Sequence, residues 1–198
     1  SRPTMNESNA PTLLLVLGAP GSEEYGNRFT AQARRWRDVG ARAGTRLPQV
    51  GWEPTTTPAN VPADAPAPAP TLSSTKPSAN NPTQASPSAP PETATEAPTD
   101  RDTLRRALEA EPVDGDYRLW VVLIGHGTDD GHAARFNLRG PDVTAPELAG
   151  WLQPIRRPIV VINTTAASAP FLAALAATHR IVITATRSGQ EDSYARFG

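Results

Sequence analysis

Four short apolar runs, separated by stretches of helical periodicity, set the pattern of this chain. Thr12-Leu13-Leu14-Leu15-Val16-Leu17 is almost wholly apolar and closes on Gly18-Ala19-Pro20-Gly21, which predicts a buried strand over 12–17 and a turn after it. Phe29, Ala33, Trp36 and Val39 then recur at helical spacing, with arginines at 34, 35, 37 and 42 between them, predicting an amphipathic helix over 27–43 that ends at Gly44. A short edge strand is expected over 48–52. After a long polar stretch, Thr99-Asp100 caps a helix over 101–109, and a second buried strand follows over 118–124. Phe136-Asn137-Leu138 reads as part of a small hairpin with the segment after it. Thr144 and Glu147 stand in capping-box spacing, predicting a helix over 144–151. A third strand over 158–163 leads to an Ala-rich helix over 169–178, and a fourth strand spans 181–185. Strands alternating with helices predict an α/β fold: three layers, αβα, around a mostly parallel sheet.

Composition divides the chain. Twelve of its 22 prolines lie between residues 51 and 100, among Ala, Thr, Ser and Asn. So Pro-rich a stretch lacks ladder donors and apolar surface, and residues from about 53 to 98 are expected to be a disordered or loosely wrapped insert. The expected organisation is a first strand and helix over 11–50, the Pro/Ala/Thr-rich insert over 51–100, and the rest of the α/β domain over 101–198. The chain starts at Ser1 and stops at Gly198 soon after a strand. It therefore reads as a piece of a longer protein, secreted or extracytoplasmic if a leader was removed.

Charge excludes little but points away from nucleic acid. The net charge is −1, and the insert holds one lysine against five carboxylates, so the remainder carries only a small, scattered positive excess. No apolar run approaches the roughly 18 residues of a membrane span. There is no cysteine, which removes disulfides and thiolate ligands. His126, His132 and His179 lack carboxylates at ligand spacing, so no metal is expected, and nothing calls for a cofactor. His132 and His179 are expected to be exposed.

Candidate chemistry gathers at two strand ends. Val121-Val122-Leu123-Ile124 runs into Gly125-His126-Gly127, which delivers an imidazole to the carboxyl edge of the sheet, where ligands of open α/β sheets sit. The flanking glycines are read as permitting a sharp turn that leaves the ring reachable. Ile159-Val160-Val161-Ile162-Asn163 ends in Thr164-Thr165-Ala166-Ala167-Ser168, a row of small residues. A histidine at one strand end and a small-residue elbow at the next is the layout of a histidine-plus-nucleophile site.

Four segments in this order resemble the legumain-like cysteine peptidases, within the wider group that includes caspases and gingipains. Gly18-Ala19-Pro20-Gly21-Ser22-Glu23-Glu24-Tyr25-Gly26-Asn27-Arg28-Phe29 is similar to the family's loop after its first strand, which implies that Arg28 anchors the primary specificity pocket. Gly125-His126-Gly127 resembles the catalytic histidine motif. The run 162–168 falls where the family has Glu-Ala-Cys-Glu-Ser-Gly, so the nucleophile position falls on Thr165 and the pocket glutamate on Asn163. Ile183-Thr184-Ala185-Thr186 through Asp192-Ser193 resembles the strand and pocket segment, which implies substrate-binding roles for Ser193 and, beside it, Asp192. Phe29 stands where legumains carry a histidine.

The resemblance therefore implies the fold without the nucleophile. A thiol is already partly ionised near neutral pH, and a nearby histidine enlarges that fraction; an internal threonine hydroxyl is crowded and far less acidic. The expected function is a non-catalytic legumain/caspase-like relative that binds a peptide or partner protein. Two alternatives stand beside it: an active hydrolase using Thr165 or Ser168 with His126, and an α/β assembly module without a working cleft.

Overall fold

The computed structural model describes residues 10–52 and 97–187. In chain order they form β1 (Thr12–Leu17), α1 (Glu23–Arg42), β2 (Gln49–Val50), α2 (Asp100–Glu109), β3 (Leu119–Ile124), β4 (Gly127–Asp129), β5 (Ala134–Phe136), β6 (Val143–Thr144), α3 (Ala145–Leu152), β7 (Ile159–Asn163), α4 (Ala169–Leu175) and β8 (Arg180–Thr184). The expected insert lies, through residue 96, outside the described residues.

Five strands make one parallel sheet in the order β2-β1-β3-β7-β8. Parallel strands are covered on both faces, which is why β1, β3 and β7 are apolar at nearly every position. Leu14, Val16, Val121, Leu123 and Val161 face α2, α3 and α4, whose Leu104, Leu108, Leu148, Leu152, Phe171 and Leu175 are buried with them. Leu13, Leu15, Val122, Ile124, Val160 and Ile162 form the opposite face, with Ala33, Phe29 and Trp36 of α1. The protein is thus α/β, with a mostly parallel sheet flanked by helices on both sides. A three-stranded antiparallel sheet, β4-β5-β6, follows β3. The hairpin expected after Leu138 is real, but β5 also pairs with the segment before it.

Caps fix the helix starts. Ser22 accepts from the Tyr25 backbone N–H, with Glu23 and Glu24 in the first turn, so α1 begins four residues before the expected start. Thr99 with Asp102 and Thr144 with Glu147 form capping boxes for α2 and α3. At α3 the Thr144 backbone N–H, its hydroxyl and the Arg101 guanidinium hold the Glu147 carboxyl below its ordinary value of 4.5, although burial opposes them. A carboxyl depressed in the folded state adds stability that is complete above its unfolded value and is lost as pH falls through the folded one. The Asp102 and Asp130 carboxyls are depressed as well, by hydrogen bonds to Thr99 and chiefly to the Ala133 N–H respectively. Urea midpoints should therefore drop as pH is lowered below about 4, and less steeply in Glu147→Gln than in the wild type.

At the amino end of the sheet, a buried ionic cluster ties four segments together. Glu111, just after α2, accepts from Arg157 before β7, from Thr12 Oγ1 of β1 at 3.0 Å, and from Arg46 at 3.3 Å. Glu111 and Arg157 are both buried. Burial pushes the Arg157 guanidinium below its ordinary value, while Glu111 pulls it back up.

Candidate functional site

The carboxyl ends of β1, β3 and β7 meet because three glycine and small-residue positions allow close approach. A Cβ on Gly125 would stand 3.0 Å from the Gly18 Cα, and one on Gly127 would stand 2.5 Å from Thr165 Oγ1. Neither Gly125 nor Gly127 has a positive φ. The chain bends at Gly125, as the sequence predicts, without a left-handed φ, and both glycines also make room for neighbouring backbone and for residue 165. Gly18 donates to Ile124 O, Ala19 to Asn137 O, and Asn137 to His126 O, which locks the three loops to one another.

His126 sits half-buried in this junction. Its Nε2 lies 3.1 Å from the Pro20 carbonyl oxygen. A carbonyl only accepts, so in the neutral ring Nε2 carries the proton and Nδ1 is the acceptor. Tyr25 and Phe29, one turn apart on α1, meet the imidazole edge-on with centroids at 4.5 and 5.0 Å. The ring is thereby held in one orientation by the Pro20 carbonyl and the two aromatic side chains. Pro20 and Tyr25 had no role assigned from the sequence. A backbone carbonyl has no residue-type signature, and only the turn signal Ala19-Pro20-Gly21 marked the place.

Thr165 sits against Gly127, the residue after His126, and its hydroxyl makes no hydrogen bond to the imidazole. The Thr165 side chain packs against Gly127, is 1% exposed, and its hydroxyl has no hydrogen-bond partner. The turn that places it is held by Asn163, whose Oδ1 accepts from the Thr165 N–H at 3.1 Å, and by Thr164, whose hydroxyl donates to Leu123 O at 2.9 Å. Asn163 is fully buried, with Nδ2 unpartnered. At the position implied for a pocket glutamate, it serves the turn instead.

Ser168 is also committed. Its Oγ accepts from the Ala185 and Thr186 backbone N–H groups at 2.9 and 3.1 Å and contacts Thr186 Oγ1 at 3.2 Å, tying the entry of α4 to the end of β8. It is fully buried, so it is a latch between two loops and not a reachable nucleophile. Arg28 does not take up the pocket position implied for it. Its guanidinium is 66% exposed, pairs with Glu24 at 3.2 Å and lies over the Tyr25 ring. The i,i+4 spacing on α1 brings that pair together on the solvent side. Asp192 and Ser193 lie outside the described residues. His132 and His179 are exposed, away from this junction.

Among the described residues, no group of three or more His, Asp or Glu is placed to hold a metal ion, and no helix is long and apolar enough to cross a membrane. The fold and the junction together define an α/β protein with an oriented strand-end histidine. No family model, no curated protein and no solved structure matches the chain.

Proposed function

We propose that this chain is a non-catalytic relative of the legumain/caspase-like peptidases, a three-layer αβα domain that binds a peptide or partner protein at the carboxyl ends of β1, β3 and β7. One observation carries this reading: the Thr165 hydroxyl, packed against Gly127 just after the oriented imidazole, is buried and makes no hydrogen bond to it. A nucleophile must lie within reach of its base and of solvent-borne substrate. Thr165 meets neither condition, and the Ser168 oxygen already serves two backbone donors. What remains at the junction suits binding. The imidazole presents Nδ1 as an acceptor, Tyr25 and Phe29 supply apolar edges, and the Gly125 and Gly127 backbone has no side chain to screen it.

Titration with short Asn- and Asp-containing peptides, followed by amide and ring NMR resonances, tests this. Saturable shifts should centre on Gly125, His126, Gly127 and Thr165, and His126→Ala should weaken binding by roughly tenfold, the worth of one buried hydrogen bond. Resonances there that stay unmoved at saturating peptide, while the fold is intact, would leave the assembly-module alternative in its place.

A further inference from the structure

A groove of about 450 Å³ opens at the amino ends of β7 and β8, at the opposite end of the sheet from His126. Its apolar lining comes from Ala149 of α3, Ala174 of α4 and Ile159 of β7, and its polar groups include Arg156, His179 and Arg180. Among the described residues, no carboxylate lines it.

Arg180 is the unusual member. Its Nη1 donates to Leu175 O at 3.0 Å and its Nη2 to Leu152 O at 3.2 Å, so one guanidinium caps the carboxyl ends of both α3 and α4. A guanidinium has five N–H donors. Here two carry hydrogen bonds, Nε is buried with no acceptor, and among the described residues no carboxylate pairs with the side chain. Burial accordingly pushes its pKa below the ordinary value with no carboxylate to oppose the shift. Arg157, which is fully buried where Arg180 is half-buried, has Glu111. Arg156, at the same groove, is already paired with Asp114 through an Nε–Oδ1 contact of 2.8 Å.

We propose that this groove binds a small carboxylate bearing a short apolar chain. The carboxylate would lie by Arg180 and His179, and the chain against Ala149, Ala174 and Ile159. A single unpaired cation suits a monoanion better than a dianionic phosphate, and a planar guanidinium matches a carboxylate in geometry.

Calorimetric titration of the full chain with butanoate, butanamide and inorganic phosphate tests this, with His179 ring resonances as a second readout. Butanoate should bind saturably and move those resonances, with butanamide and phosphate each weaker by about tenfold or more. Ala177→Leu, at the groove edge and clear of the Arg180 caps, should weaken butanoate by about tenfold and leave the thermal midpoint close to the wild-type value. Arg180→Lys should also lose affinity, since a lysine has no fork, and its midpoint reports any loss of the two caps. The proposal is overturned by absence of saturable butanoate binding, by equal affinity for butanamide, by a preference for phosphate, or by undiminished binding in Ala177→Leu. Because the groove and the His126 junction lie at opposite ends of the sheet, each titration can fail without the other.

Discussion

Glu111→Ala should lower folding stability by about 3–5 kcal/mol, the largest effect expected of any single substitution in this chain. The carboxylate accepts from Arg157, Arg46 and Thr12 at once, and its removal leaves the buried Arg157 guanidinium without a counter-charge. Arg46 is about one-third exposed and can turn to water; Arg157, 2% exposed, cannot. Urea denaturation monitored by tryptophan fluorescence measures the loss. The double replacement Glu111→Leu with Arg157→Met should recover most of it, because removing both charges also removes the desolvation cost. A wild-type-like urea midpoint for Glu111→Ala would mean that water reaches the cluster and that the pair is not buried in solution.

Gly51→Ala should cost about 2–5 kcal/mol, for two separable reasons. Gly51 has φ +72°, a conformation that strains an L side chain by about 1–2 kcal/mol. A Cβ there would also stand 2.0 Å from Leu17 O, at the carboxyl end of β1. Backbone cannot yield as a flexible side chain does, so the overpacking adds about 1–3 kcal/mol. Gly44 supplies the control: its φ is +68°, yet a Cβ would meet nothing within 4 Å. Gly44→Ala should therefore show the conformational strain alone. Equal losses at both positions in urea would remove the steric part of this account. Gly51 O also accepts from Arg139 Nη1 at 2.6 Å, so its displacement would reach the segment just before β6.

The strands were the most legible part of the sequence: β1, β3 and β7, buried on both faces, must be apolar throughout, and the edge strand β8 still shows as a β-branched run. Thr12–Leu17 forms over the residues its apolar run predicts, and Leu119–Ile124, Ile159–Asn163 and Arg180–Thr184 fall within one residue of theirs at either end. Helix ends were less so. Apolar periodicity starts α1 near Phe29, whereas the cap at Ser22 and the acids at 23 and 24 set its true start. The alanines after Leu175 favour continued helix, but Ala176 turns to an extended ψ of 128° and Arg180 takes the Leu175 carbonyl. β4 has no alternation to see, since Gly127–Asp129 is a strand only by pairing with β5.

At the junction, His126 was readable as a strand-end group, while its orienting partner was not, because any residue has a carbonyl. The flanking glycines stood out for the turn, and Gly125 does bend; their close approach to Gly18 and Thr165 had no signal in the sequence. Arg28, given a pocket role by resemblance, pairs with its own helix neighbour, and Ser168, the alternative nucleophile, latches two loops. The Glu111–Arg157 pair had no local signal at all, being 46 residues apart.

The most direct measurement of the central claim is hydrolysis of Asn- and Asp-containing reporter peptides by the wild type, Thr165→Cys and His126→Ala. The absence of a working nucleophile is worth on the order of 10⁶ in rate where such losses have been measured. The wild type should accordingly turn over no faster than His126→Ala, with both at the uncatalysed background. Thr165→Cys places a thiol at the strand end neighbouring that of His126, and turnover confined to that variant would match a peptidase-like site lacking only its sulfur. Turnover by the wild type that disappears in His126→Ala would contradict the account and make the chain a hydrolase.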